Sequence, residues 1–194
     1  MVIASTNPGK IEEIREILDG LPLVLLTDAD TGAWPEIDES GSTYLENALI
    51  KARAVVEITG KAALSDDSGL EVDALDSEPG VRSARFAGPS ATDEENNLKL
   101  IRLLEGKQPE ERGARYRCVA VCAFPDGREL AGIGTCVGQI ALRPKGSGGF
   151  GYDPWFIPAG EDRTMAELSP EEKHAISHRG RALRGLADQL ARML

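Results

Sequence analysis

The chain has 194 residues, 41% hydrophobic and 28% charged, and its 22 Lys and Arg against 32 Asp and Glu leave a net charge of −10. That length and composition suit one globular domain over residues 1–194 with a substantial core, and the negative balance argues against broad binding to a nucleic-acid backbone. No apolar run reaches membrane-spanning length and Met1-Val2-Ile3-Ala4-Ser5 lacks the basic start of a signal peptide, so neither nucleic acid nor membrane is an expected partner and the expected compartment is the cytoplasm.

Val2 to Ala4 predicts a short buried strand, and Ser5-Thr6-Asn7-Pro8-Gly9-Lys10 then turns into Ile11, Ile14, Ile17 and Leu18 at helical spacing. Asn7 is placed as N-cap with Pro8 at the first helical position, and Gly20 ends the helix. A strand, a tight polar turn and a helix N-terminus present unpaired N–H groups and a positive dipole end, to which Ser5, Asn7 and Lys10 add donors. The unit suits a phosphate as well as it suits an ordinary capped helix, and it lacks the Walker spacing. Leu21 to Leu26 predicts the next strand and Asp28 to Ser40 an acidic loop. Thr43 and Glu46 have capping-box spacing and open a helix to about Gly60, with Leu45, Leu49, Ala52 and Val56 on its buried side and Asn47 and Lys51 sharing a face. A capping-box glutamate already has a structural role; the alternative for Glu46 is to hold a metal.

Leu64 to Leu75 places Asp66, Asp67, Glu71 and Asp73 within eight residues. Carboxylates so close repel one another unless a positive charge sits among them, and a hard cation such as Mg²⁺, which takes oxygen ligands, is one answer. A plain turn at Asp66-Asp67-Ser68-Gly69, after a strand ending near Leu64, is the other. Asp76 to Ser90 predicts a surface loop carrying Arg82, Arg85 and Phe86, and Thr92 with Glu95 caps a helix of Leu98, Ile101 and Leu104 that Gly106 closes. Arg115 to Phe124 and Glu129 to Leu142 predict a scaffold hairpin around Pro125-Asp126-Gly127, where Gly132, Gly134 and Gly138 suggest bulges or close backbone approach. Cys118, Cys122 and Cys136 read as reduced and buried, the first two being too far apart along a strand to bond each other.

Gly149-Phe150-Gly151-Tyr152-Asp153-Pro154 places aromatic rings among glycines, where they could stack on a planar base while Asp153 accepts a base N–H, or else tuck into the core. Ser169-Pro170-Glu171-Glu172 starts a last helix with Ile176, Leu183, Leu186 and Leu190 as one buried stripe, carrying Lys173, Ser177, His178 and Arg179. His174 and His178 have a zinc-compatible spacing, but no cysteine lies near and a zinc site is rejected.

With these stretches in order, the chain resembles the inosine triphosphate pyrophosphatase family, which hydrolyses non-standard purine nucleoside triphosphates. The motifs are Ser5 to Lys10, Thr43-Tyr44-Leu45-Glu46-Asn47-Ala48 with Lys51-Ala52, Ser65 to Leu75, Pro79 to Arg85, Gly149 to Pro154, Thr164 to Leu168, Glu172-Lys173 and Ser177-His178-Arg179. The resemblance implies an α/β fold with a long twisted mixed sheet flanked by helices, two lobes with an active-site cleft between them, and a homodimer. It implies Mg²⁺-dependent cleavage of ITP, dITP and XTP to the monophosphate and pyrophosphate. Position by position, Asp67 is the implied catalytic carboxylate and metal ligand and Glu46 a second ligand. Ser5, Thr6, Asn7, Pro8, Gly9, Lys10, Lys51 and Ser68 hold phosphates or sugar, while Phe150, Gly151, Tyr152, Asp153, Lys173, His178 and Arg179 surround the base. Hypoxanthine carries an O6 acceptor and an N1–H donor where adenine has the reverse, so Arg179 donating and Asp153 accepting would reject adenine. A pyrophosphatase for pyrimidine or modified nucleotides, and a protein that binds Mg-nucleotide without turnover, are the alternatives.

Overall fold

The computed structural model describes residues 1–35 and 37–193. Strand β1 (Val2–Ile3) lies parallel to β2 (Ala63–Val72), Val2 opposite Ala63 and Ile3 opposite Leu64. A parallel pair needs a crossover. Helices α1 (Pro8–Ile17), α2 (Asp28–Thr31) and α3 (Tyr44–Thr59) lie along it. Helix α4 (Asp93–Leu103) then precedes β3 (Gly113–Ala123), β4 (Glu129–Ile140) and the short β5 (Phe156–Pro158). The sheet order is β1-β2-β3-β4-β5, and β5 runs antiparallel to β4, so the sheet is mixed, with helices beside it. Helices α5 (Pro170–Ile176) and α6 (His178–Ala191) end the chain, and no helix among the described residues is long and apolar enough to cross a membrane.

Two compact units divide the chain, one of Met1–Asp67, Cys118–Gly134 and the residues from Arg179 on, the other of Ser68–Arg117 and Thr135–His178. Each has its own core. Ile3, Ile14, Leu64, Cys118, Leu183, Leu186 and Leu190 fill the first; Leu70, Leu100, Leu104, Tyr116, Ile140, Phe156 and Met165 fill the second.

Several elements differ from expectation for identifiable reasons. The acidic stretch is no turn: β2 runs straight through it, with Asp66, Asp67 and Glu71 all buried within or at the end of a continuous ladder. Leu21 to Leu26 forms no strand, because its contact with β1 is a single bridge at Leu26 and Val24 faces solvent. Within Asp28 to Ser40, Thr27 and Asp30 form a capping box that starts α2, and Glu36 lies outside the described residues. Asp76 to Ser90 contains a 3-10 turn at Gly80–Arg85, with Phe86 buried. On α3 the buried face is Tyr44, Asn47, Ala48, Ala52 and Val55, and Leu45 is exposed; on α4 the polar Asn96 takes the inward position beside Leu100, and Leu98 is exposed. The single last helix is two, because Ser177 is extended (φ −66°, ψ 156°); Ile176 packs on one core while Leu183, Leu186 and Leu190 belong to the other. All three cysteines are buried and free of disulfides.

Close backbone approach does explain Gly132 on β4, where a Cβ would stand 2.1 Å from the Ala182 carbonyl and 2.8 Å from the Leu186 nitrogen of α6. Neither backbone atom can swing aside, so Gly132→Ala separates strand from helix and is expected to cost about 1–3 kcal/mol, read as a lowered midpoint in urea unfolding. An unchanged midpoint would contradict this packing.

Candidate functional site

The chemistry-bearing residues fall into two sets, one in each unit. In the first, successive β2 residues Asp66 and Asp67 point to opposite sides of the strand. Asp66 Oδ2 lies 3.2 Å from Lys10 Nζ and accepts a 3.1 Å bond from Arg179 Nε, while Arg179 Nη1 donates to Glu13 on α1. Burial alone would push the Asp66 carboxyl up, but Lys10, Arg179 and Lys51 together hold it well below the usual carboxylate range. The same two carboxylates keep the buried Arg179 guanidinium charged.

Asp67 has a different balance. Its Oδ2 accepts from Asn47 Nδ2 at 3.1 Å, and its Oδ1 is 4.0 Å from Lys51 Nζ, which itself donates to Glu39 at 3.1 Å. Here burial wins: the pKa is raised despite Lys51 and Lys10, and Glu39 adds to the rise. Asn47 Oδ1 is held by the Gly41 N–H at 2.8 Å, which fixes the amide so that its donor end faces Asp67.

The Ser5-to-Lys10 turn forms as its residue types require. Asn7 Oδ1 caps α1 by accepting from the Lys10 N–H at 3.1 Å, Pro8 opens the helix, and the Asn7 N–H donates to Ser5 Oγ at 3.2 Å. Thr6, Asn7 and Pro8 are exposed and Ser5 and Gly9 half-buried. Glu46 serves as the capping glutamate of α3. Its Oε2 accepts from Ser42 N and Oγ, both at 2.7 Å, and from Thr43 N at 3.1 Å. Those bonds hold its carboxyl below the usual range. Among the described residues no group of three His, Cys, Asp or Glu is placed to hold a metal. Asp67 and Glu46 each offer oxygen donors, the type that a hard cation takes.

In the second set Asp153 is the hub. It is buried, accepts from Lys173 Nζ at 2.7 Å and the Phe150 N–H at 3.1 Å through Oδ2, and accepts from the Tyr116 hydroxyl at 3.3 Å through Oδ1. Lys173 Nζ stands 5.1 Å from the centre of the half-buried Phe150 ring. Gly149, at φ +70°, lies against the pair, and a Cβ there would come within 2.2 Å of Asp153 Oδ2. His178 stacks on Tyr116 with centroids 4.5 Å apart and planes at 6°. Ser68 on β2 is half-buried.

Three of the residues expected around a base have partners within the protein. Tyr152 is a core residue whose hydroxyl donates to the Ser83 carbonyl at 2.9 Å and whose phenol is raised by burial. Arg179, expected at the base edge, is committed to Asp66 and Glu13 in the first unit. Asp153, expected to accept from a base, is committed to Lys173, Tyr116 and Phe150 in the second. Sequence reasoning took the hairpin that carries Tyr116 for scaffold and did not single out Glu13. Asn47 carried a usable signal, since it shares a helix face with Lys51 and both reach Asp67.

The chain belongs to the Ham1 family, whose model matches residues 1–189. A dITP/XTP pyrophosphatase of Geobacter sulfurreducens is 51% identical over 98% of this chain and 96% of its own length. One of Desulforamulus reducens is 46% identical over 100% and 96%. The solved structure of a HAM1 protein from Coxiella burnetii superposes with a TM-score of 0.89 at 44% identity, covering 98% of both chains.

Removing Arg179 leaves the buried Asp66 with Lys10 as its close cation and takes a guanidinium away from Glu13. Arg179→Met is expected to lower stability by about 3–5 kcal/mol at neutral pH, measured by urea unfolding. Because the folded pKa of Asp66 lies below its unfolded value, the contribution is complete above about pH 4 and is lost as pH falls below it, so the variant's stability should depend less steeply on pH there than the wild type's. Parallel acid limbs for the two proteins would refute this role for the pair.

Proposed function

We propose that the chain hydrolyses dITP, ITP and XTP to the nucleoside monophosphate and pyrophosphate with Mg²⁺, clearing non-standard purines from the cytoplasmic nucleotide pool. The observation that carries the reading is a buried Asp67 with raised pKa, set between Asn47 and Lys51 beside the Lys10 turn, in a chain whose relatives bear the name dITP/XTP pyrophosphatase.

Lys10, Lys51 and the Ser5-Thr6-Asn7-Pro8-Gly9 turn take the triphosphate, with donors and a helix N-terminus where negative charge grows in the transition state. Ser68 contributes its hydroxyl to phosphate or sugar. Asp67 orients the attacking water and accepts its proton, a role suited to a carboxylate whose burial raises its basicity. Asp67 and Glu46 would hold Mg²⁺, Glu46 through the carboxylate that also caps α3. The ion, when bound, neutralises phosphate charge and favours departure of pyrophosphate. Phe150 stacks on the base, with Gly151, Lys173 and His178 around it. The Lys173 ammonium replaces Arg179 as the donor for a purine O6, and Asp153 holds that lysine rather than reading the base itself. Arg179 is accordingly a positioning residue for Asp66. The family resemblance further supports a homodimer, testable by light scattering in solution.

Pyrophosphate release from dITP, ITP, XTP, GTP and ATP tests the reading. Fast release from the first three with Mg²⁺ is expected, stopped by EDTA, and slowed about 10²–10⁴-fold in kcat by Asp67→Asn. Release that ignores EDTA, or an Asp67→Asn enzyme as fast as wild type, would remove the proposed centre. Lys173→Met is expected to erode the preference for dITP over dATP while leaving pyrophosphate affinity within about twofold; an unaltered preference would take O6 recognition away from Lys173.

A further inference from the structure

Helix α4 is capped by Thr92 and Glu95: the Thr92 hydroxyl accepts from the Glu95 N–H at 3.2 Å and Glu95 Oε2 accepts from the Thr92 N–H at 2.8 Å. Asp93 and Asn97, one turn apart on the same face, are not needed for that cap. Both instead reach a single residue in the glycine-rich loop of the same unit. Asp93 Oδ2 accepts from the Gly151 N–H at 2.7 Å, and Asn97 Nδ2 donates to the Gly151 carbonyl at 2.9 Å. The donor and the acceptor of one residue are thus held from one helix face.

Asn97 keeps this orientation at a cost. Its Oδ1 is buried without a hydrogen-bond partner, a penalty of about 1–3 kcal/mol in general. Its neighbour Asn96, by contrast, uses both ends of its amide, accepting from Ala87 N at 2.7 Å and donating to the Ala84 carbonyl at 3.1 Å. A tolerated unsatisfied atom beside a fully satisfied one points to a role outside α4.

That role is legible from what Gly151 adjoins. Phe150 precedes it, and the Phe150 N–H is already tied to Asp153. Gly151 has φ +62°, a conformation that a glycine adopts freely and would as freely leave. With the Phe150 N–H and both polar groups of Gly151 held, the backbone on either side of the Phe150 ring is fixed, and the ring stays beside Lys173. Preorganised stacking spares the ordering cost on binding. We propose that Asp93 and Asn97 are positioning residues for nucleobase recognition, acting through the Gly151 backbone on the Phe150 ring. The inference rests on Phe150 being the platform for the base.

The test separates the base from the phosphates. IMP carries the purine and pyrophosphate carries none, and calorimetry measures both affinities whether or not the protein turns over substrate. Asp93→Ala with Asn97→Ala is expected to weaken IMP about tenfold, two hydrogen bonds being removed, with pyrophosphate affinity within about twofold. In turnover the KM for dITP should rise by a similar factor while kcat moves little. Asp93→Asn, which keeps an acceptor oxygen, should restore most of the IMP affinity relative to Asp93→Ala. Equal weakening of IMP and pyrophosphate, or a lowered melting temperature with IMP affinity unchanged, would reduce the two residues to a structural role and overturn the proposal. Phe150→Ala distinguishes the levels. Unchanged IMP affinity in that variant would sink the platform itself, whereas weak binding there with normal binding in the α4 variants would sink the clamp alone.

Discussion

A carboxylate at full burial survives as an anion only if cations meet it, and Asp66 meets two. Lys10 comes from the start of α1 and Arg179 from the start of α6, elements far apart in sequence that both reach the same β2 carboxylate. Glu13 completes the set by taking the remaining charge of the guanidinium. Such a network is a poor source of net stability, since desolvation consumes much of the attraction. Its effect is geometric. Any displacement of α1 or α6 exposes an uncompensated charge to the interior, so the Ser5-to-Lys10 turn and the backbone of β2 are held together, and Asp67, the next residue on the strand, is set on the other side. The difference between the neighbours then follows from their partners: two close cations depress Asp66, while one lysine shared with Glu39 leaves burial to raise Asp67.

The second unit solves a different problem with different means. It centres on a buried ion pair, Asp153 with Lys173, and surrounds it with rings: Phe150 near the ammonium, Tyr116 bonded to the carboxylate, His178 stacked on Tyr116. Flat apolar faces bordered by a few fixed polar groups are what a base requires, because stacking supplies affinity and unpaired polar edges supply discrimination. Charged groups gather in the first unit's cluster and aromatic rings in the second's. That division also explains why a glycine stands at position 149, since a side chain there would collide with the Asp153 carboxylate.

What the sequence made legible was what depends on local chemistry. The Asn7, Thr43, Thr92 and Ser169 caps all form, because each is set by the side chain at the cap and residues within one turn. The hairpin and the buried free cysteines are likewise local matters. What failed depends on distant partners. Asp-Asp-Ser-Gly is turn-forming in isolation, but Lys10 and Arg179 let it persist as buried strand. Ile176 and Leu183 are seven apart and fit one helical stripe, yet they serve different cores, which only a break at Ser177 permits. Arg179 in a motif beside His178 suggests one shared role, but the chain passes from one unit to the other between them. The caps set by neighbouring residues were therefore readable, while the long-range partners of the buried charges were not.

A protein of net charge −10 that takes a polyanion needs a local exception to its own field. Lys10, Lys51 and Arg179 face Asp66, Asp67, Glu13 and Glu39, so the set as it stands carries one more carboxylate than cation. Arg179 is engaged by two carboxylates and contributes nothing outward. Lys10 and Lys51 alone would therefore present a triphosphate with a nearly neutral surface. On the proposed reading a divalent cation at Asp67 would add two positive charges and reverse the sign of the whole set. Metal and triphosphate would on that reading favour each other's binding, the cation reversing the residual negative charge of the set.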